Sequence, residues 1–290
     1  MSLMLKSLKN IALASSLLTS FCYADEKTDI LENYLTNQIL TNPAVENGNI
    51  KILEQKPLEQ IPNWNAYIVE LNVTLKRKSK KIHQKNIVFS NGTYITNDFT
   101  NIENGSSLKD LIRPKFKDEY YKKENLISGD ENSKHKIAIF SDPLCPFCRT
   151  FVPKALKYMM ADSKKYAVYY YNLPLPNIHP ASVVLVKAVI AAELKKQKPD
   201  MIALYTSIQP KSSKRPYYVA YGERDVKKIL KVFNDVMGTD IKPSDLKSKE
   251  VLDRYNEDIK ISEDLMVNGT PSVYVDGEYD KSKQKYKEVE

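Results

Sequence analysis

Two cysteines three positions apart, Cys145 and Cys148 in the stretch FSDPLCPFCRTF, are the residues of this chain whose types and spacing could do chemistry. A Cys-x-x-Cys pair is compatible with half of a zinc site, a structural disulfide or a redox dithiol. Zinc takes four ligands, supplied by two such pairs or by one pair with histidines. The histidines here, His83, His135 and His179, are scattered and show no ligand spacing. A disulfide across so short a loop removes little entropy from the unfolded chain, and a chain of this size can bury a core without it. The pattern favours a redox centre, with no metal and no other cofactor.

The compartment agrees with that reading. Residues 1–24 carry Lys6 and Lys9 ahead of an apolar core from Ile11 to Leu18 and close on Ala24 before the charged Asp25-Glu26-Lys27. The core is shorter than the ~20 residues that a membrane-spanning helix needs, so the stretch reads as a secretory signal peptide. Lipoprotein processing at Cys22 is disfavoured by the bulky Phe21 before it. Cleavage after Ala24 removes Cys22 and leaves Cys145 and Cys148 as an exported dithiol, in a compartment where disulfides form. The chain is basic, with a formal charge of +8, but its lysines are dispersed among acids. The densest cluster, LKRKSKK from Leu75 to Lys81, reads as a solvated hairpin turn. No nucleic-acid partner is expected.

The elements around the dithiol set the roles of its two thiols. KIAIF, from Lys136 to Phe140, is a continuous apolar run of the kind found in a strand buried on both faces. Beyond the cysteines, Phe147, Phe151, Val152, Ala155, Leu156 and Met159 mark an amphipathic helix, within which Pro153 predicts a kink. Pro146 suits the first helical position, where its missing N–H would be unpaired anyway. Cys145 then sits at the helix N-terminus, where free N–H groups and the positive end of the macrodipole favour its thiolate. Cys148, one turn inside, is more shielded. Cys145 is the expected nucleophile and Cys148 the resolving thiol.

The rest of the chain organises around this unit. An apolar stripe of Ile30, Leu31, Tyr34, Leu35 and Ile39 predicts a helix. Strand-like runs follow at Ile50 to Leu53 and Ala66 to Leu75, and Asn91-Gly92 lies between two more, a strong hairpin signal. These elements form a small α+β unit over residues 25–104. A polar, lysine-rich stretch from Ser107 to Asn125 carries Leu108, Leu111, Ile112, Phe116 and Tyr120 on one face. It predicts a connecting helix, kinked or broken at Pro114, within a linker over 105–130. A catalytic unit over 131–290 follows the turn-rich SGDENSK.

The strand, the Cys-Pro-x-Cys at a helix start and the downstream NGTPSVYVDG (Asn268 to Gly277) together resemble the thioredoxin fold in its exported DsbA/DsbC/DsbG branch. The resemblance spans Lys136 to about Gly277 and implies a fold class of α+β, a thioredoxin-like domain with a helical insertion between Tyr166–Leu175 and Pro271. It also implies that Pro271 is a cis-proline packed against the dithiol, with Thr270 before it. Thr270, Cys-Pro-Phe-Cys and the N-terminal unit resemble the DsbC and DsbG isomerases, whose dimerisation domain is a small cystatin-like α+β unit. LPLPNIHPAS (Leu173 to Ser182) is closer to DsbA.

That branch implies a periplasmic thiol–disulfide interchange protein of isomerase or reductase type, acting on exported proteins as a homodimer. Its membrane redox partner would be a DsbD-like reductase or a DsbB-like oxidase. A DsbA-like oxidase, or a non-catalytic chaperone with an inert dithiol, is the alternative. Phe147 and the Thr270-Pro271 edge would line the substrate cleft. Among the neighbouring residues, Asp142 reads as a turn residue before Pro143, Arg149 as a solvated helix position, Tyr169 to Tyr171 as strand packing, and His179 as a loop or cap residue.

Overall fold

A computed structural model describes residues 27–77, 80–211 and 214–290; the expected leader over 1–24 lies outside the described residues. The chain divides into two compact units between Ile112 and Arg113.

In the first unit, helix α1 (27–40) turns Leu31, Leu35 and Ile39 onto a sheet and leaves Ile30 and Tyr34 exposed, so the apolar stripe is wider than the face it covers. The sheet is antiparallel in the order β1 (Val45–Pro57), β2 (Asn65–Leu75), β3 (Lys80–Ser90) and β4 (Ile95–Thr96). Alternation along β2 sends Tyr67, Val69 and Leu71 to the α1 side, where they meet Ile50 and Val88. Trp64, Phe89 and Phe99 form a separate edge-to-face aromatic cluster. The β3–β4 turn is held by Asn91, whose Oδ1 accepts from the N–H groups of Thr93 and Tyr94, with Gly92 at φ 91°. Residues 78 and 79 of the basic cluster lie outside the described residues.

The second unit is built on five strands in the order β5 (Leu126–Ser128), β7 (Tyr166–Asn172), β6 (His135–Ser141), β8 (Ser272–Val275), β9 (Glu278–Tyr279). Only β6 and β7 are parallel. Both central strands are buried on two faces, which is why they read as unbroken apolar runs. Ile137, Ile139, Val168 and Tyr170 face helix α3 (Pro146–Met160) and the insertion helices α4 (Pro180–Leu194), α5 (Met201–Thr206) and α6 (Val226–Met237). Ala138, Phe140, Tyr169 and Tyr171 face Ile261 and Leu265, at and just beyond the end of α7 (Lys249–Asp264). Helix α3 continues through Pro153. Asp200 and Asp225 cap α5 and α6 by accepting from backbone N–H groups of their first turns. Among the described residues no helix is long and apolar enough to cross a membrane.

The connecting stretch departs from its sequence reading. A helix, α2, spans only Leu108–Ile112, and two 3-10 turns follow at Asp118–Tyr120 and Lys123–Asn125. Phe116, Tyr120 and Tyr121 seal the α7 side of the sheet, Phe116 lying 5.4 Å from the Tyr171 ring. The expected boundary near Ser128 to Lys134 therefore falls inside the second unit. The apolar residues at helical spacing are divided between the units: Leu108 is buried in the first, Leu111 is exposed, and Phe116 and Tyr120 pack into the core of the second. Pro114, which cannot donate within a helix, stops the continuous form.

Candidate active site

Cys145 is the N-cap of α3, with φ −63° and ψ 124°, and Pro146 follows at the first helical position. The Cys145 carbonyl accepts the first helical bond, from Arg149 N–H at 3.0 Å. The Cys145 side chain makes no formal capping bond, but the N–H groups of Phe147 and Cys148 in the first turn both favour its charge. The Cys148 thiol donates to the same sulfur and is the largest influence; the Thr270 hydroxyl adds to it, and burial opposes them. The Cys145 thiol is thereby brought down to about 5. Cys148 moves the other way: burial comes first, and its bond to Cys145 keeps the proton in place.

Exposure follows the same asymmetry without making Cys145 an open thiol. Cys145 is 4% exposed and Cys148 0%, so the contact that the pair has with solvent is through Cys145 alone. The rim is Pro146 and Phe147, the latter 75% exposed. Phe147 thus contributes a backbone N–H to the thiolate and an apolar side chain to the surface. On the other side the Cys145 S–H donates to the Thr270 carbonyl at 3.5 Å. The Thr270–Pro271 bond is cis, and Pro271 is buried at the start of β8. Thr270 Oγ1 is buried without a hydrogen-bond partner, and its nearness to the two sulfurs favours their charged forms.

In the frame under the dithiol the sequence readings of Asp142 and Arg149 do not hold, while His179 is the expected cap residue. Asp142 is fully buried rather than a plain turn residue. Its Oδ1 accepts from Leu144 N–H at 2.7 Å and from the Ser182 hydroxyl at 2.5 Å. Its Oδ2 takes Leu175 N–H at 2.9 Å and lies 3.0 Å from His179 Nδ1. His179 precedes α4 as its cap residue and stacks on Tyr221 at 4.9 Å. Arg149 is half-buried and folds back, its Nη1 donating to the Pro143 carbonyl at 3.3 Å. The signal for Asp142 was Pro143 after it, His179 ahead of α4 and Ser182 in its first turn, residue types too common to pair across such a distance. Among the described residues no group of three or more His, Cys, Asp and Glu could hold a metal ion.

Comparison with known proteins matches residues 122–290 to the family described as Thioredoxin. A curated relative, "Probable disulfide bond formation protein D" of Bacillus anthracis, is 28% identical over 152 residues, which is 51% of this chain and 68% of that protein. Oxidised BdbD of Bacillus subtilis is similar at 19% identity and a TM-score of 0.43, over 61% of this chain and 91% of that one. The catalytic domain of Proteus mirabilis ScsC is similar at 20% identity and a TM-score of 0.42, over 58% and 89%.

Proposed function

The chain belongs to the thioredoxin family, and from that premise we propose that it is an exported thiol–disulfide oxidoreductase acting on the disulfides and thiols of other exported proteins. The observation that carries this reading is the asymmetric dithiol: Cys145 ionised from about 5 upward beside a sealed Cys148 that keeps its proton. The Cys145 thiolate attacks a substrate disulfide. A Cys145–substrate S–S bond forms, and the first substrate sulfur leaves with the electron pair of the broken bond. Cys148, after losing its proton, attacks the Cys145 sulfur and forms the Cys145–Cys148 disulfide. The second substrate sulfur then leaves and takes up a proton. The substrate gains two electrons and the protein loses them; the reverse sequence gives a disulfide to a substrate dithiol.

Oxidation of substrates is the direction that the site itself favours. A stabilised thiolate belongs to the reduced protein, so it makes the disulfide form the stronger oxidant. A DsbB-like membrane partner would then regenerate the disulfide. The name of the Bacillus anthracis relative points the same way. A second reading, a DsbC- or DsbG-like isomerase or reductase kept reduced by a DsbD-like partner, is supported by the first unit. Its exposed Ile30, Tyr34 and Tyr94 would gain burial in a homodimer. In a Cys148→Ala variant, mixed disulfides with exported proteins are expected to accumulate at Cys145. Their absence refutes the oxidoreductase reading. A dithiol held mostly reduced in cells, together with a dimer in sedimentation, replaces the oxidase by the isomerase.

A further inference from the structure

Once Cys145 is tied up in a mixed disulfide its charge is gone, and Cys148 must ionise on its own to complete the reaction. It is 0% exposed, so water cannot solvate the new charge, and burial is the main force holding its proton. A buried carboxylate would be the direct remedy. Asp142, three residues before Cys145, is not free for it. Its two oxygens already serve Leu144, Ser182, Leu175 and His179, which fills the lone-pair sites of a carboxylate.

What lies behind Cys148 instead is a file of hydroxyl groups drawn from three elements. Ser141, the last residue of β6, is fully buried and lies near enough to the Cys148 sulfur to favour its charged form. Tyr205, on α5 of the insertion, donates its hydroxyl to Ser141 Oγ at 2.6 Å. Tyr170, on β7, shares a 2.5 Å hydrogen bond with the Tyr205 hydroxyl. Because Ser141 Oγ is already the acceptor of Tyr205, its own proton can turn toward the sulfur. Hydrogen bonds in series polarise one another, more so in a medium of low dielectric. Burial pushes both tyrosines well above their ordinary range. They therefore act as donors and do not take the Cys148 proton.

We infer that Ser141, Tyr205 and Tyr170 form a hydroxyl chain that stabilises the Cys148 thiolate as it forms, with Ser141 in contact with the sulfur and the two tyrosines as positioning residues behind it. This rests on the oxidoreductase reading. The chain changes no bond itself: the proton lost by Cys148 ends on the departing substrate sulfur, and the hydroxyls return unaltered. In the reverse direction Cys148 is the leaving thiolate, and the same donors ease its departure. The insertion helix α5 is thereby part of the chemistry.

The test uses the full reduced chain with glutathione disulfide and reads two steps separately by acid quench and mass. The first is formation of the Cys145–glutathione adduct, and the second is its resolution by Cys148. Tyr205→Phe removes one oxygen and leaves the ring to pack. Both Tyr205→Phe and Ser141→Ala are expected to form the adduct within about two-fold of the parent rate. A hydrogen bond to a charged group is worth enough to slow resolution about ten-fold in Ser141→Ala, with a several-fold loss in Tyr205→Phe. If Tyr205 acts through Ser141, the double variant resolves no more slowly than Ser141→Ala alone. Tyr170→Phe, expected to slow resolution in the same way, provides the reading should Ser141→Ala not fold. Resolution at the parent rate in Tyr205→Phe and Tyr170→Phe overturns the inference, and so does a double variant whose loss is the product of the two single losses. A parent protein that forms no glutathione adduct at Cys145 overturns the oxidoreductase reading, and this inference with it.

Discussion

Removing the Cys148 thiol tests which interaction makes Cys145 acidic. An ordinary cysteine ionises near ~8.5, and Cys145 does so at about 5. The difference amounts to on the order of 5 kcal/mol in favour of the thiolate. The helix end alone is too weak to supply this, since a charge near a helix terminus gains roughly 0.3–1 kcal/mol when exposed and up to ~2 when partly buried. Hydrogen bonds to a charged acceptor contribute about 1.5–3 kcal/mol each, and the Cys148 thiol is the largest single contributor. Cys148→Ala is therefore expected to raise the Cys145 midpoint by about 1–2 pH units and leave it still below an ordinary thiol. The assay is the rate of alkylation at Cys145 as a function of pH, read by mass in the parent and in the variant. A parent midpoint at or above the ordinary cysteine value refutes the reasoning outright. A variant midpoint still at about 5 transfers the credit from Cys148 to the backbone.

The redox equilibrium with glutathione should carry the same signature. The reduced protein holds a thiolate from about pH 5 upward, so that part of its stabilisation vanishes as the pH falls through 5 and grows as the pH rises toward the ordinary thiol value. The equilibrium constant for reducing the protein disulfide with glutathione is expected to increase roughly ten-fold per pH unit between about 5 and 8; a flat profile contradicts the depressed thiol. On the stability side, Gly129 sits at φ +77° in the turn before β6, and a Cβ there would fall 2.1 Å from the Tyr166 carbonyl oxygen. Gly129→Ala should cost at least ~2 kcal/mol, read as a lower urea midpoint by circular dichroism, and an unchanged midpoint would show that the turn is not held as described.

The parts of the site that were legible in the sequence are those in which the signal is local. Pro146 after Cys145 marks a helix start through one missing N–H, and an apolar run before a Cys-x-x-Cys places the pair at the end of a buried strand. Thr270 and Pro271 lie far downstream and could be assigned only through the family resemblance. Asp142 and Ser141 could not be read correctly. Their roles come from partners 37 and 64 residues away, His179 and Tyr205, and no periodicity encodes which buried polar groups will meet. The near-complete burial of Cys145 beside Cys148 was not legible either. A sulfur whose charge is favoured by neighbouring donors needs those donors dry more than it needs an open face. The stretch from Ser107 to Asn125 was misread for a different reason. Spacing of three and four marks one face of a helix, but here it arises from a short helix in the first unit followed by turns whose Phe116 and Tyr120 pack into the second.

These corrections share a physical origin, which bears on how the fold divides its labour. A strand–helix unit with Cys145 at the helix end already provides an acidic thiol, but it leaves two groups unprovided for, the backbone entering the helix and the buried second sulfur. Both are served from the insertion between β7 and β8. Ser182 and His179, at the start of α4, hold Asp142 and through it the N–H of Leu144. Tyr205 of α5 reaches Ser141 beneath Cys148. Each contact is buried, so each partner lost would leave a polar group unsatisfied at a cost of ~1–3 kcal/mol. Changes in the insertion are therefore coupled to the reactivity of Cys148 even where they lie outside the substrate's reach. The insertion is better regarded as the inner wall of the active site than as a cover over it.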